Sequence, residues 1–276
     1  MPGPILSESD GNVATVTLNR PEIGNRLTND MAATLATMID SARNARVIVL
    51  KGAGNDFCLG RDLPHADPAK PPSAIEVRNN DTEPMLSLFA MFHRVSVPIV
   101  AVVQGKVQGG ACAIVGLCDV AIASDDATFV LPEMQRGIPP CLAMSALCRR
   151  MPRKALTHLV YSCEPIDAAT ALAMGIVSRV VPRARLEAEA KAFIDRLVGY
   201  SDPAVRTVKE YMRSAPELEP QAAADLASNI MATVMSSRKW RRRHPEAAAR
   251  SAALEGWPRV TRRRPSRLAI TRRRRA

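Results

Sequence analysis

Apolar and polar residues alternate from Asn12 to Asn19 with many β-branched side chains, the two-residue period of a half-buried strand. Arg20-Pro21 ends it. Thr28 is placed to cap the next segment, Met31 to Ile39, whose Ala, Leu and Met side chains share one helical face. Val47 to Lys51 reads as a short buried strand, closed by the turn Gly52-Ala53-Gly54-Asn55. His65 to Pro84 is rich in Pro, Asp and Asn and has no sustained period, so it reads as a long mobile loop, a candidate lid over a site.

Helical spacing resumes at Met85 to His93, and the unbroken apolar run Pro98 to Val103 is a strand covered on both faces. Gly105 closes that strand. Gly109-Gly110 opens a helix that runs to Leu117, and Asp119 to Ala123 is another buried strand. From Leu142 the pattern is mainly helical, with Asp167 as a cap for Ala168 to Met174 and Gly175 as its stop. A last strand, Val177 to Val181, precedes amphipathic helices at Leu186 to Val198, Val205 to Arg213 and Gln221 to Met235.

Composition then narrows the function classes. The 276 residues are 47% hydrophobic, enough to bury a large core. Polar residues interrupt the apolar runs before any reaches bilayer length, and Met1 to Asn12 lacks the basic and apolar regions of a secretion signal. A cytoplasmic location is expected. The net charge is +11, but from Arg238 onward there are 15 Lys+Arg against 2 Asp+Glu, leaving 23 against 25 in the preceding segment. The basicity therefore belongs to an Arg-rich tail, 239–276, expected to be disordered, and nucleic acid is not an expected partner of the near-neutral body. Six scattered cysteines without a paired CxxC spacing suggest small buried hydrophobes, and the four histidines are isolated, so no metal site is expected.

Two glycine-bearing segments carry the candidate chemistry. Asp56 to Leu63 (DFCLGRDL) follows one strand and Gly105 to Ala113 (GKVQGGACA) follows another, both at places where backbone can approach a ligand closely. Gly109-Gly110 also stands at a helix N-terminus, where unpaired N–H groups and the helix dipole favour negative charge. A Gly-Gly pair alone is equally compatible with tight packing. Glu133, in Leu131-Pro132-Glu133, is a candidate proton carrier or a solvated turn residue.

In their order, these segments resemble the crotonase superfamily, the enoyl-CoA hydratase/isomerase family. The resemblance rests on VTLNRPE (Val16 to Glu22), FCLGRDL (Phe57 to Leu63), PIVAVVQGKVQGGACAIVGLCDVAIAS (Pro98 to Ser124), ATFVLPE with GIPP (Ala127 to Glu133, Gly137 to Pro140) and ALAMGIVSRVV (Ala171 to Val181). It implies an α/β fold, a crotonase-like ββα superhelix over 1–190, with a C-terminal helical trimerisation region at 191–238. It further implies an acyl-CoA substrate, an oxyanion hole from the N–H groups of Arg61 and Gly110, and Glu133 as acid/base. Cys58, Leu59, Gly60, Asp62, Gly109 and Ala113 are implied to surround the substrate. No cofactor is implied beyond the coenzyme A of the substrate itself, and the assembly implied is a homotrimer or a dimer of trimers. Arg136, Cys141 and Ser145 are near enough to lend polar help, and Lys106 is a candidate contact for coenzyme A phosphate. One departure matters. Efficient hydratases of the family carry a second glutamate where this chain has Ala113, whereas a single glutamate is the pattern of its double-bond isomerases and hydroxycinnamoyl-CoA hydratase-lyases.

Overall fold

The computed structural model describes residues 3–62, 69–243 and 245. The chain opens with two antiparallel strands, β1 (Ile5–Ser9) and β2 (Val13–Leu18), that turn near Gly11 at φ +88°. After β2 comes α1 (Asn29–Ser41), and Thr28 caps it by accepting from the Met31 N–H at 3.2 Å. Next are β3 (Val47–Gly52), the three-residue helix α2 (Ala74–Glu76), α3 (Glu83–Arg94), β4 (Ile99–Val103), β5 (Lys106–Gln108) and α4 (Gly110–Leu117). They are followed by β6 (Val120–Ser124), β7 (Thr128–Val130), α5 (Cys141–Leu147), α6 (Arg153–Ser162), β8 (Ile166–Asp167), α7 (Ala168–Ala173) and β9 (Arg179–Val181). The helices α8 (Leu186–Gly199), α9 (Asp202–Ser214), α10 (Pro220–Ser236) and α11 (Arg238–Arg243) come last. Two compact units result, Met1–Ile230 and Met231–Ala276.

The strands fall into two layers. Six of them form a sheet in the order β1-β2-β3-β4-β6-β9, parallel from β2 onward, and three form a smaller sheet, β5-β7-β8. Parallel bridges Leu27↔Arg61 and Cys58↔Val107 extend the smaller layer. Successive turns of chain therefore repeat one path: a strand in the large sheet, extended backbone in the small layer, then a helix. The paths are β2, Leu27, α1; then β3, Cys58 to Arg61, α2 with α3; then β4, β5, α4; then β6, β7, α5. This is the ββα spiral.

The unbroken apolar strands follow from burial on both faces. In β3, Ile48 and Leu50 enter the main core, while Val47 and Val49 enter a second cluster with Val100, Val102, Ile122 and Leu186, Ala190 and Ile194 of α8. At roughly 1.5–3 kcal/mol for each large apolar side chain removed from water, both clusters contribute to holding the sheet between them.

Several expectations need correction. The stretch from His65 to Pro84 is not one irregular loop. Residues 63–68 lie outside the described residues, but Ser73 and Glu76 form a capping box, and helix continues through a π-helical turn, Val77–Thr82, directly into α3. The reciprocal cap outweighs the poor local periodicity. Cys141 and Cys148 are exposed, unlike Cys58, Cys112, Cys118 and Cys163, because α5 is a surface helix at those positions. The expectation of a disordered or only locally helical tail falls mostly outside the described residues: 239–243 continue α11, and 244 and 246–276 are not among them.

Candidate active site

The site is assembled on two turns of the spiral. A Cβ on Gly52 would stand 2.3 Å from the Phe57 carbonyl oxygen, so the turn after β3 closes only with glycine there. Asn25, fully buried at φ +54°, clamps this turn: its Nδ2 donates to the carbonyls of Ala53, Asp56 and Phe57 at 2.8, 2.9 and 3.2 Å. Its Oδ1 accepts from the Arg20 N–H at 2.9 Å. The turn is then tied to β5, because Cys58 N–H donates to Lys106 and Gln108 N–H donates to Cys58, at 3.2 and 3.0 Å. The two glycine-bearing segments lie side by side.

Each segment reverses at a glycine of positive φ, Gly60 at +87° and Gly109 at +55°. Neighbouring amides are occupied: Asp62 N–H donates to Leu27 and Gly109 N–H to Val130, at 2.8 and 2.9 Å. Among the described residues, the N–H groups of Arg61 and Gly110 donate to no acceptor. They are also close. A side-chain carbon placed on Gly110 would lie 3.8 Å from Arg61 Cγ and 3.6 Å from Met85 Cε. Gly110 opens α4, so its amide adds the positive end of that helix.

Glu133 starts the 3₁₀ turn Glu133–Arg136 after β7. Its Oε1 would stand 2.6 Å from a Cβ on Gly109, so the absence of a side chain there is what lets the carboxyl reach the second glycine segment. Its Oε2 is buried without a hydrogen-bond partner. Burial pushes its pKa above the ordinary value, opposed by its own backbone N–H and by Arg136. Such a carboxyl holds its proton more readily than an exposed one does.

Glu133, Arg61 and Gly110 line one cavity of about 630 Å³, together with Leu59, Gly60, Asp62 and Gly109. Met85 and Phe89 of α3, and Ile138, Leu142 and Ala143 further along, form apolar walls. Two expected substrate neighbours are elsewhere. Cys58 is buried with its Sγ donating to the Asn25 carbonyl at 3.1 Å, and burial pushes the thiol up to about 12; Ala113 is fully buried in α4 and is not part of the cavity lining. Asp62 lines the wall but is engaged by Arg20 at 3.0 Å. Arg136 lines the cavity, Lys106 faces a separate shallow cleft, Cys141 is exposed, and Ser145 Oγ donates to the Leu142 carbonyl at 2.7 Å. Sequence reasoning missed Met85 and Phe89 as walls and Asn25 as the clamp. The only signal for Asn25 was its residue type, since asparagine tolerates positive φ.

Among the described residues no group of three or more His, Cys, Asp or Glu is placed to hold a metal ion, and no helix is long and apolar enough to cross a membrane. The arrangement brings two amides without an acceptor among the described residues and one half-buried carboxyl to the lining of one cavity.

Known proteins resemble this chain along most of its length. The family model described as enoyl-CoA hydratase/isomerase matches residues 8–248. A probable mitochondrial enoyl-CoA hydratase of Dictyostelium discoideum is 30% identical over 222 residues, covering 78% of this chain and 77% of its own. A probable enoyl-CoA hydratase of Mycobacterium tuberculosis is 31% identical over 217 residues, covering 77% and 82%. The crystal structure of an enoyl-CoA hydratase from Mycobacterium smegmatis superposes with a TM-score of 0.82 at 27% identity, over 92% of this chain and 97% of that one. With its spiral, its paired glycine segments and these relatives, the chain belongs to the enoyl-CoA hydratase/isomerase family.

Proposed function

We propose that this protein shifts the double bond of an unsaturated acyl-CoA, with Arg61 N–H and Gly110 N–H holding the thioester oxygen and Glu133 carrying the proton. The observation that supports it is a single cavity lined by Arg61 and Gly110, whose amides meet no acceptor among the described residues, and by Glu133, one of whose carboxylate oxygens is buried without a partner. Removal of a proton beside the thioester carbonyl develops enolate charge on its oxygen. Each preorganised amide lowers that barrier by roughly 3–4 kcal/mol, and backbone donors do so whatever their side chain. The ionised Glu133 takes the proton from one carbon and its acid form returns it to another, which leaves the enzyme unchanged and moves the double bond. Coenzyme A is part of the substrate and no separate cofactor is needed for these steps.

Isomerisation is favoured over two-carboxylate hydration by the lining itself. Its carboxylates among the described residues are Asp62 and Glu133, and Asp62 is held by Arg20. The position implied for a second glutamate is Ala113, which can neither orient nor ionise a water. A panel of enoyl-CoAs assayed for double-bond shift and for hydration tests this, with Glu133→Gln beside the native chain. The expected result is a double-bond shift lost by at least about 100-fold in the variant, the size of a general acid–base contribution. Because burial raises the Glu133 pKa, the ionised base appears only as pH rises past a point above 4.5, so the native rate climbs with pH there and falls towards acid. Unchanged turnover in the variant removes Glu133 from the mechanism, and tight binding without turnover on any substrate would leave a catalytically weak acyl-CoA binding protein.

A further inference from the structure

Among the described residues, three side-chain atoms are shut off from solvent without a hydrogen-bond partner: Arg46 Nε, Arg61 Nε and Glu133 Oε2. Two of them belong to residues that line the same cavity, Arg61 and Glu133. Glu133 is accounted for by proton transfer, but the use made of Arg61 so far involves only its backbone N–H. Its side chain is a separate fact. The guanidinium reaches the start of α1, where one terminal nitrogen donates to Asn29 Oδ1 at 2.6 Å, and Asn29 in turn donates to the Asn80 carbonyl in the π-helical turn.

That side chain carries a charge that no carboxylate meets at ion-pair distance among the described residues, the carboxylate of Asp81 acting on it only from further off. Asn29 is neutral. An arginine remains protonated in such a place, and with Nε walled in by protein its terminal N–H groups are the donors left for a ligand. The cavity as a whole has the same bias. Arg26, Arg61 and Arg136 line it against Asp62 and Glu133, and Asp62 is already matched by Arg20. A half-buried guanidinium is a recognition element for a planar anion, because its donors fit a carboxylate bidentately.

The position of the edge limits which anion it can meet. Arg61 Cγ lies 3.8 Å from where a side chain on Gly110 would begin, and Nε is two bonds further along. An acyl carbonyl seated on the two amides is therefore a short chain's length from the guanidinium. Phosphates of coenzyme A are large, hydrated groups better suited to exposed cations such as Arg136.

We infer that the acyl group this cavity selects carries a second carboxylate on a short chain, which the Arg61 side chain binds while the Arg61 and Gly110 amides hold the thioester. The inference rests on the acyl-CoA reading of the site. It assigns Arg61 two roles: its amide serves the reacting oxygen and its guanidinium serves specificity.

Succinyl-CoA and butyryl-CoA, equal in chain length and both saturated, test it by calorimetric titration of the full chain. The expected result is about 10-fold tighter binding of succinyl-CoA to the native protein, the effect of one charge-assisted hydrogen bond made in a buried place. Arg61→Met should bring the ratio of the two affinities to about one, whatever the affinity for butyryl-CoA becomes, and Arg61→Lys should keep part of the preference, since the charge remains and the fork is lost. Equal affinities in the native protein overturn the inference and leave the acyl-CoA reading intact. A loss in Arg61→Met that is the same for both thioesters also overturns it, since the guanidinium then meets coenzyme A. Binding of neither thioester overturns both readings together.

Discussion

The two adjacent glycines of the second segment have different reasons to be glycine, and substitution separates them. Gly109 combines φ +55° with ψ −125°, and a Cβ there would press on Glu133 Oε1 at 2.6 Å. Gly110 sits at ordinary φ, with nearest neighbours at 3.6 and 3.8 Å, which is van der Waals contact. Gly109→Ala should therefore lower stability by about 1–3 kcal/mol and displace the carboxyl, whereas Gly110→Ala should change stability by less than about 1 kcal/mol. Thermal unfolding of both variants checks the contrast, and equal losses would show that the backbone at Gly109 is not strained. The sequence made both glycines visible as a pair, together with Glu133 as a carboxyl after a proline. It did not make Asn25 visible. A buried asparagine at positive φ looks like any polar loop residue until the three carbonyls it serves are folded around it.

Among elements, those with a strong period were legible: the β2 alternation, the apolar runs of β3, β4 and β6, and the caps at Thr28 and Asp167 are where the sequence puts them. The smaller layer was not. Strands β5, β7 and β8 are two or three residues long, too short to show a period, and they exist because the spiral brings them together. The π-helical turn before α3 was hidden for a related reason, since it is polar and exposed and its order comes from the Ser73 cap before it and the helix after it. Attachment of α9 to the sheet is also tertiary. Lys209, only 8% exposed, donates to the Val97 carbonyl at 2.9 Å and to Asp119 Oδ2 at 2.8 Å, and the same oxygen accepts the Ile99 N–H at 2.7 Å. This pins α9 to the starting ends of β4 and β6. Breaking a fully buried pair costs roughly 3–5 kcal/mol, but the Asp119 side chain is 26% exposed, so about 2 kcal/mol is expected for Lys209→Met and for Asp119→Asn. The double variant should lose less than the two single losses together, because neither charge is then left unmatched. Denaturant unfolding of all four proteins measures it, and strict additivity would mean the two residues act separately.

For the whole molecule, the order of motifs carried the fold, because the ββα path needs its glycine turns at fixed places along the chain. Assembly is different: it depends on the surface that helices present after folding, and a single sequence does not say which apolar residues stay outside. In α9, Val208 and Met212 lie four residues apart on one face, and each is 63% exposed. Exposed apolar side chains grouped on one helical face are costly in water and mark a surface for association. A closed ring of identical chains covers such a face without leaving a free copy of it, and the family resemblance implies a ring of three. Sedimentation equilibrium of the purified chain is therefore expected to give three times its 29.9 kDa mass, or six times if two trimers pair. Val208→Asp with Met212→Asp should shift the protein towards the single-chain mass, since both carboxylates would have to lose their water on association. A native protein sedimenting at 29.9 kDa would refute the assembly, and a variant that still sediments as the trimer would place its contacts on a face other than this one.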